Sequence, residues 1–137
     1  MKIKKILNKL LRLHPRSIDL SLDRIQRLNH ALGNPQNKLK IVSITGTNGK
    51  YSIAQTIKSI LEEAGYTCDV YSSPHIISIT ERFVFAGKEI SDDKLCDLLE
   101  EVEKINKGKT ITFFEFLTSS FFLEASRAKS DVSILES

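Results

Sequence analysis

Gly46-Thr47-Asn48-Gly49-Lys50, with Ser52 two places on, has the residue types of a phosphate cradle. Gly46 and Gly49 let the backbone approach an anion closely and take positive φ. Lys50 offers a point charge to outer phosphates, and Ser52 offers a hydroxyl to phosphate or Mg²⁺. That chemistry needs a strand ending at the loop and a helix starting from it. Backbone N–H groups and the positive end of the helix dipole then converge on the anion. Both elements are written in the pattern. Ile41-Val42-Ser43-Ile44 is a short apolar run suited to a buried strand, and Ile53, Ala54, Ile57, Ile60 and Leu61 recur at helical spacing. Nucleotide binding is the chemistry this arrangement favours.

The elements around this unit follow from the same rules. Ile3, Ile6, Leu7, Leu10 and Leu11 form a helical stripe ending near His14-Pro15. Ser21 is the expected N-cap of a second helix carrying Leu22, Ile25, Leu28 and Leu32, with Gly33 just beyond and a turn at Asn34-Pro35-Gln36-Asn37. The first β-α unit spans 40–64, closed by Gly65. Thr67-Cys68-Asp69-Val70-Tyr71 reads as a second strand, parallel to the first by the crossover rule. Ser72-Ser73-Pro74-His75 then opens a loop at the strand's carboxyl end, the side on which open α/β sheets bind ligands.

Arg82-Phe83-Val84-Phe85 and Glu89-Ile90 flank Gly87-Lys88 as a hairpin, and Ser91 caps a helix bearing Leu95, Leu98, Leu99, Val102 and Ile105. A helix over about 114–128 is apolar almost all round and is expected to lie buried against the sheet. Asp131-Val132-Ser133-Ile134-Leu135-Glu136 is apolar enough for the middle of that sheet. The fold class is α/β: a P-loop-containing parallel sheet flanked by helices. Residues 1–39 are expected to form an amino-terminal helical segment, and 40–137 a P-loop nucleotide-binding domain.

Composition narrows the function classes. Of 137 residues, 41% are hydrophobic, enough for one ordinary core. Cys68 and Cys96 stand far apart and give neither a disulfide framework nor a metal spacing, which suits a reducing, cytoplasmic setting. No apolar run approaches the roughly 20 residues that cross a bilayer. Asn8 and Lys9 break the amino-terminal apolar stretch, and no small-residue cleavage site follows it. The net charge of +3 is uneven: residues 1–40 carry ten Lys and Arg against two Asp. That basic start lacks aromatic interleaving and any nucleic-acid module, so neither nucleic acid nor membrane is the expected partner. A solvated helix face, or attraction of anionic substrates, accounts for it.

Five features in order make the sequence resemble the folylpolyglutamate synthase/dihydrofolate synthase family, within the Mur-ligase-like ATP-dependent amide ligases. They are Asp19-Leu20-Ser21-Leu22-Asp23-Arg24-Ile25; the short P-loop; Ser73-Pro74-His75 with Glu81-Arg82 and Gly87-Lys88-Glu89-Ile90-Ser91; Thr112-Phe113-Phe114-Glu115 with Thr118; and the strand ending at Glu136. The resemblance implies that ATP phosphorylates the carboxylate of dihydropteroate or a reduced folate, and that L-glutamate attacks the acyl phosphate. It implies ATP and Mg²⁺, with the nucleotide held by Gly46, Thr47, Asn48, Gly49, Lys50 and Ser52. Ser73 and Glu136 would ligate Mg²⁺. Lys50 would stabilise the transferring phosphoryl group, while His75 would position its loop rather than act as a general base. Ser73, Arg82, Thr112 and Phe114 would contact substrate, Phe114 offering a face to the pteridine.

Two departures from the family pattern stand out. Tyr51 replaces a small residue after the P-loop lysine, so its ring must turn away from the phosphates or crowd them. The family also continues after the strand's Glu with further metal ligands and a carboxy-terminal domain. The chain is therefore expected to be the amino-terminal third of such an enzyme, a monomer without turnover of its own. Alternatives are another Mur-type ligase acting on cell-wall precursors, a P-loop switch or kinase, and a fragment retained as a binding module.

Overall fold

The computed structural model of this protein describes residues 2–14, 22–46, 49–72 and 78–136. Five strands, β1 (Ile41–Ile44), β2 (Cys68–Tyr71), β3 (Phe83–Phe85), β4 (Lys88–Glu89) and β5 (Val132–Glu136), form one sheet in the order β1-β5-β2-β3-β4. β5 lies parallel to both β1 and β2 and separates them, the central place its apolarity suggests. The sheet is parallel only in this part. β3 turns back antiparallel on β2, and β4 on β3, through the Ala86-Gly87 turn. The sheet is therefore mixed rather than wholly parallel, with the expected hairpin at its margin.

Alternation of side chains decides which face the helix covers. The ladder sets Val42 opposite Ile134, and Ile134 opposite Val70. With Ile44, Cys68 and Val132 these residues line one face, on which Ala54, Ile57 and Leu61 of the helix Lys50–Glu63 pack. That helix ends at Gly65, whose φ of 92° needs no Cβ and whose N–H donates to Glu62.

The helices are α1 (Lys2–Leu13), α2 (Asp23–Ala31), α3 (Lys50–Glu63), α4 (Asp92–Asn106) and α5 (Phe113–Ala128). Two compact units result: Met1–Asn37 with Ser91–Glu124, and Lys38–Ile90 with Ala125–Ser137. In the helical unit Leu10, Leu28, Leu95, Leu99, Phe116 and Phe121 are fully buried, each contributing about 1.5–3 kcal/mol of transfer free energy. His14 is buried with them, its ring stacked on Phe116 at 5.3 Å and its Nε2 paired with Glu103.

Ser91 caps α4 as expected, its Oγ accepting the Lys94 N–H at 3.2 Å. α2 differs: Leu22 holds the N-cap position without a side-chain bond, and Ser21 lies outside the described residues. α5 is buried along most of its length, as its composition leads one to expect, and it divides at the boundary of the units: its residues as far as Glu124 fall in the helical unit and Ala125–Ala128 in the sheet unit. An all-round apolar helix announces burial without saying what buries it. Among the described residues, no helix is long and apolar enough to cross a membrane.

Candidate functional site

α3 begins where the glycine-rich run ends. Gly49 occupies its N-cap with φ 75°, and its carbonyl accepts the Ile53 N–H at 3.0 Å. A side chain at that φ costs about 1–2 kcal/mol, so the loop needs glycine here. Gly46 has φ 146°, and a Cβ placed on it would meet Lys50 Cγ at 4.0 Å, so the lysine stem lies alongside it. First-turn N–H groups of an α-helix have no acceptor within the helix and face whatever lies beyond its start. Ser52 is exposed in that first turn. β1, Gly46, Gly49 and the start of α3 at Lys50 thus follow one another at this edge.

The ladder adds a carboxylate to the same edge. Glu136 pairs with Ile44, the last residue of β1 before the loop, while Leu135 pairs with Tyr71, the last residue of β2. The loop after β1, the end of β5 and the segment after β2 therefore leave the sheet together. Glu136 continues the row Val132-Ile134, and Ser72 continues the row Cys68-Val70, so alternation puts both on the α3 face. Glu136 is only 6% exposed, a depth at which a carboxylate requires compensation by charge, hydrogen bonds or metal.

A cavity of about 630 Å³ opens there, with Glu136 and Ser72 at one end and Tyr51, Gln55 and Lys58 along one side of α3. Glu81 and Glu89 close the hairpin side, Glu89 accepting the Thr80 hydroxyl at 2.7 Å. Tyr51 is 64% exposed and lines this cavity, whereas Gly46, Gly49, Lys50 and Ser52 do not.

Arg82 is buried in the 3-10 turn Ile79–Arg82, and its carbonyl accepts the Ser72 N–H at 3.2 Å. It is not among the residues lining the cavity. Thr112 and Phe114 belong to the helical unit. Thr112 Oγ1 accepts the Glu115 N–H at 3.2 Å, and a Glu115 oxygen accepts the Thr112 N–H at 3.0 Å, the reciprocal pair of a capping box. Phe114 follows within the first turn of α5 and is 40% exposed. Thr47, Asn48, Ser73 and His75 lie outside the described residues. Gly46, Gly49, Lys50, Ser52 and Glu136 are thus brought to one edge of the sheet unit, while Thr112 and Phe114 stand in the helical unit.

Sequence reasoning missed three features. Tyr51 shares its cavity with Gln55 and Lys58, which the i, i+4, i+7 spacing could have placed on one helix side. Arg24 grips Glu115, with no local signal to announce it. Asp69 is a fully buried carboxylate whose Oδ1 accepts the Ala86 N–H at 2.7 Å and the Ser130 hydroxyl at 2.6 Å. Burial pushes its pKa above the ordinary 3.8, against the pull of those two hydrogen bonds. Alternation sets it on the face away from α3. Burial likewise raises the pKa of the Cys68 and Cys96 thiols, as expected of inert core cysteines. Among the described residues, no group of three or more His, Cys, Asp or Glu is placed to hold a metal.

No protein-family model matches the chain. Individual proteins do. It is 36% identical over 124 residues to the dihydrofolate synthase/folylpolyglutamate synthase of Escherichia coli (strain K12), covering 90% of this chain and 29% of that protein. Among solved structures, the Escherichia coli protein in complex with DHPP and ADP superposes with a TM-score of 0.87 at 36% identity, over 98% of this chain and 32% of that one. The bifunctional folylpolyglutamate synthase/dihydrofolate synthase of Yersinia pestis, complexed with AMPPNP and Mn ion, gives 0.88 at 35% identity, over 98% and 33%. The chain spans about a third of the length of the proteins it matches.

Proposed function

We propose, since this chain belongs to the dihydrofolate synthase/folylpolyglutamate synthase family, that it carries the nucleotide-phosphate site of an ATP-dependent carboxylate–amine ligase. The full protein would join L-glutamate to dihydropteroate or to a reduced folate. The observation that carries this reading is the shared edge at which the Gly49-Lys50 helix start and the buried Glu136 carboxylate leave the sheet. Such a ligase must bring two anions together, a γ-phosphate and a carboxylate, and stabilise charge on the group in transit. Lys50 and the first-turn N–H groups of α3 supply a fixed positive field for that purpose.

Glu136 and the serine hydroxyls following β2 are hard oxygen donors, a set whose chemistry fits Mg²⁺. Glu136 and Ser73 would hold the ion, which would neutralise phosphate charge when bound. His75 would fix the shape of the loop after β2, and Arg82 would meet the anionic part of the substrate. Thr112 and Phe114 would border the pteridine, a role supported by the exposed Phe114 ring.

Calorimetric titration of the chain with ATP–Mg²⁺, and separately with pteroate, tests the proposal. Both should bind, and Lys50→Met should weaken the nucleotide on the order of tenfold, the worth of a charge-assisted hydrogen bond. Nucleotide binding without pteroate binding would favour a P-loop switch. Absence of nucleotide binding would overturn the proposal.

A further inference from the structure

Glu115 is occupied at both oxygens. Arg24 of α2 donates Nε–H to Oε1 at 3.0 Å and Nη2–H to Oε2 at 3.2 Å, while Oε1 also accepts the Thr112 N–H at 3.0 Å. The two side chains are only 17% and 14% exposed, so water screens the pair weakly. A guanidinium fork on a carboxylate fixes direction as well as distance. The first turn of α5 is thereby closed on itself by the capping box and tied to α2 by the fork. Phe114 sits between these anchors, next to Glu115 in sequence and two places after Thr112. Its ring meets Phe113 edge-on, with centroids 6.4 Å apart and planes at 65°.

We propose that Arg24 and Glu115 are positioning residues, which hold the exposed Phe114 ring in the orientation that receives a pterin. The inference rests on the folate-ligase reading and adds to it the pair that aims the ring. Both Glu115 oxygens are engaged within the helical unit, so the acid of this motif serves its geometry. A merely structural ion pair would join α2 to α5 and affect every ligand alike. A positioning pair affects the one ligand that Phe114 meets.

Two conservative variants separate these roles. Glu115→Gln still closes a capping box but loses the charge that Arg24 grips. Arg24→Lys keeps the charge but loses the fork. On the 137-residue chain, the Kd of pteroate and of ATP–Mg²⁺ are measured with the thermal midpoint alongside. Glu115→Gln and Arg24→Met should weaken pteroate on the order of tenfold, since displacements near 1 Å cost that much or more. Arg24→Lys should recover part of the loss, and ATP–Mg²⁺ affinity should stay unchanged throughout. Equal pteroate affinity in wild type and Glu115→Gln overturns the inference, as does a parallel loss of both ligands with a falling midpoint. A wild type that binds nucleotide but no pteroate removes the folate reading, and this inference with it. A wild type that binds both, with Glu115→Gln unaltered, removes the inference alone.

Discussion

Asp69→Asn should make the protein more stable at neutral pH and leave it unchanged in acid. The carboxylate is fully buried, Oδ1 accepts from Ala86 and Ser130, and Oδ2 has no hydrogen-bond partner among the described residues. Burial raises its pKa above 3.8. The folded chain therefore keeps this proton over a range in which the unfolded chain has released it. Stability contributed by the protonated form is complete below the unfolded value and is lost as pH climbs through the folded one. For one group the slope cannot exceed about 1.4 kcal/mol per pH unit. Asparagine keeps the Oδ1 acceptor and carries no charge, so the difference between variant and wild type isolates Asp69. Urea unfolding followed by circular dichroism, from about pH 4 upward, reads that difference. The two proteins should agree within about 1 kcal/mol near pH 4. The variant should then lead by a widening margin that levels off above the folded pKa. A wild type that gains on the variant as pH rises would refute the reasoning, because the two hydrogen bonds would then outweigh burial. Asp69→Ala, which strands both donors, should be less stable than Asp69→Asn by about 1–3 kcal/mol for each donor at every pH, since neither variant titrates there.

Gly49→Ala should destabilise the chain by about 1–2 kcal/mol in the same unfolding assay and weaken ATP–Mg²⁺ binding, because the φ of 75° is retained only under strain. Tyr51→Phe should leave nucleotide affinity within about threefold, less than one lost hydrogen bond, since the side chain is 64% exposed and its hydroxyl can bond to water. A large change in either direction on calorimetry would place that hydroxyl against the phosphates instead.

What could be foreseen from the sequence divides along physical lines. The start of α3 at Lys50, the Ser91 cap and the Ala86-Gly87 hairpin obey local rules of φ, capping and turn chemistry. A few neighbouring residues state such rules completely. β5 was placed centrally because both its faces are apolar, and that burial is what a middle strand requires. The burial of α5 is legible in its composition, but hydrophobicity is non-directional: Phe116 and Phe121 record that they are buried, and nothing in them names the covering surface. Arg24 and Glu115 are separated by 91 positions, and no spacing rule spans that distance. Half of the Glu115 role was within reach, because threonine followed three places later by glutamate is the mark of a capping box. Asp69 offers no such mark. A lone acid in an apolar strand becomes interpretable only when the donors from the turn and from Ser130 are seen around it.

The position of β5 governs the order in which this molecule can assemble. Among the described residues β5 is the strand that joins β1 to β2, and the ladder pairs Ile41 with Ser133 and Cys68 with Val132, more than ninety and sixty residues apart. During synthesis the glycine turn and α3 emerge early, yet the strand that anchors them hangs without a neighbour until residues 132–136 arrive. One zippering event then completes the central ladder and delivers Glu136 to its place. The edge that carries Gly49 and Lys50 is thus encoded early in the chain and meets Glu136 only when β5 joins the ladder.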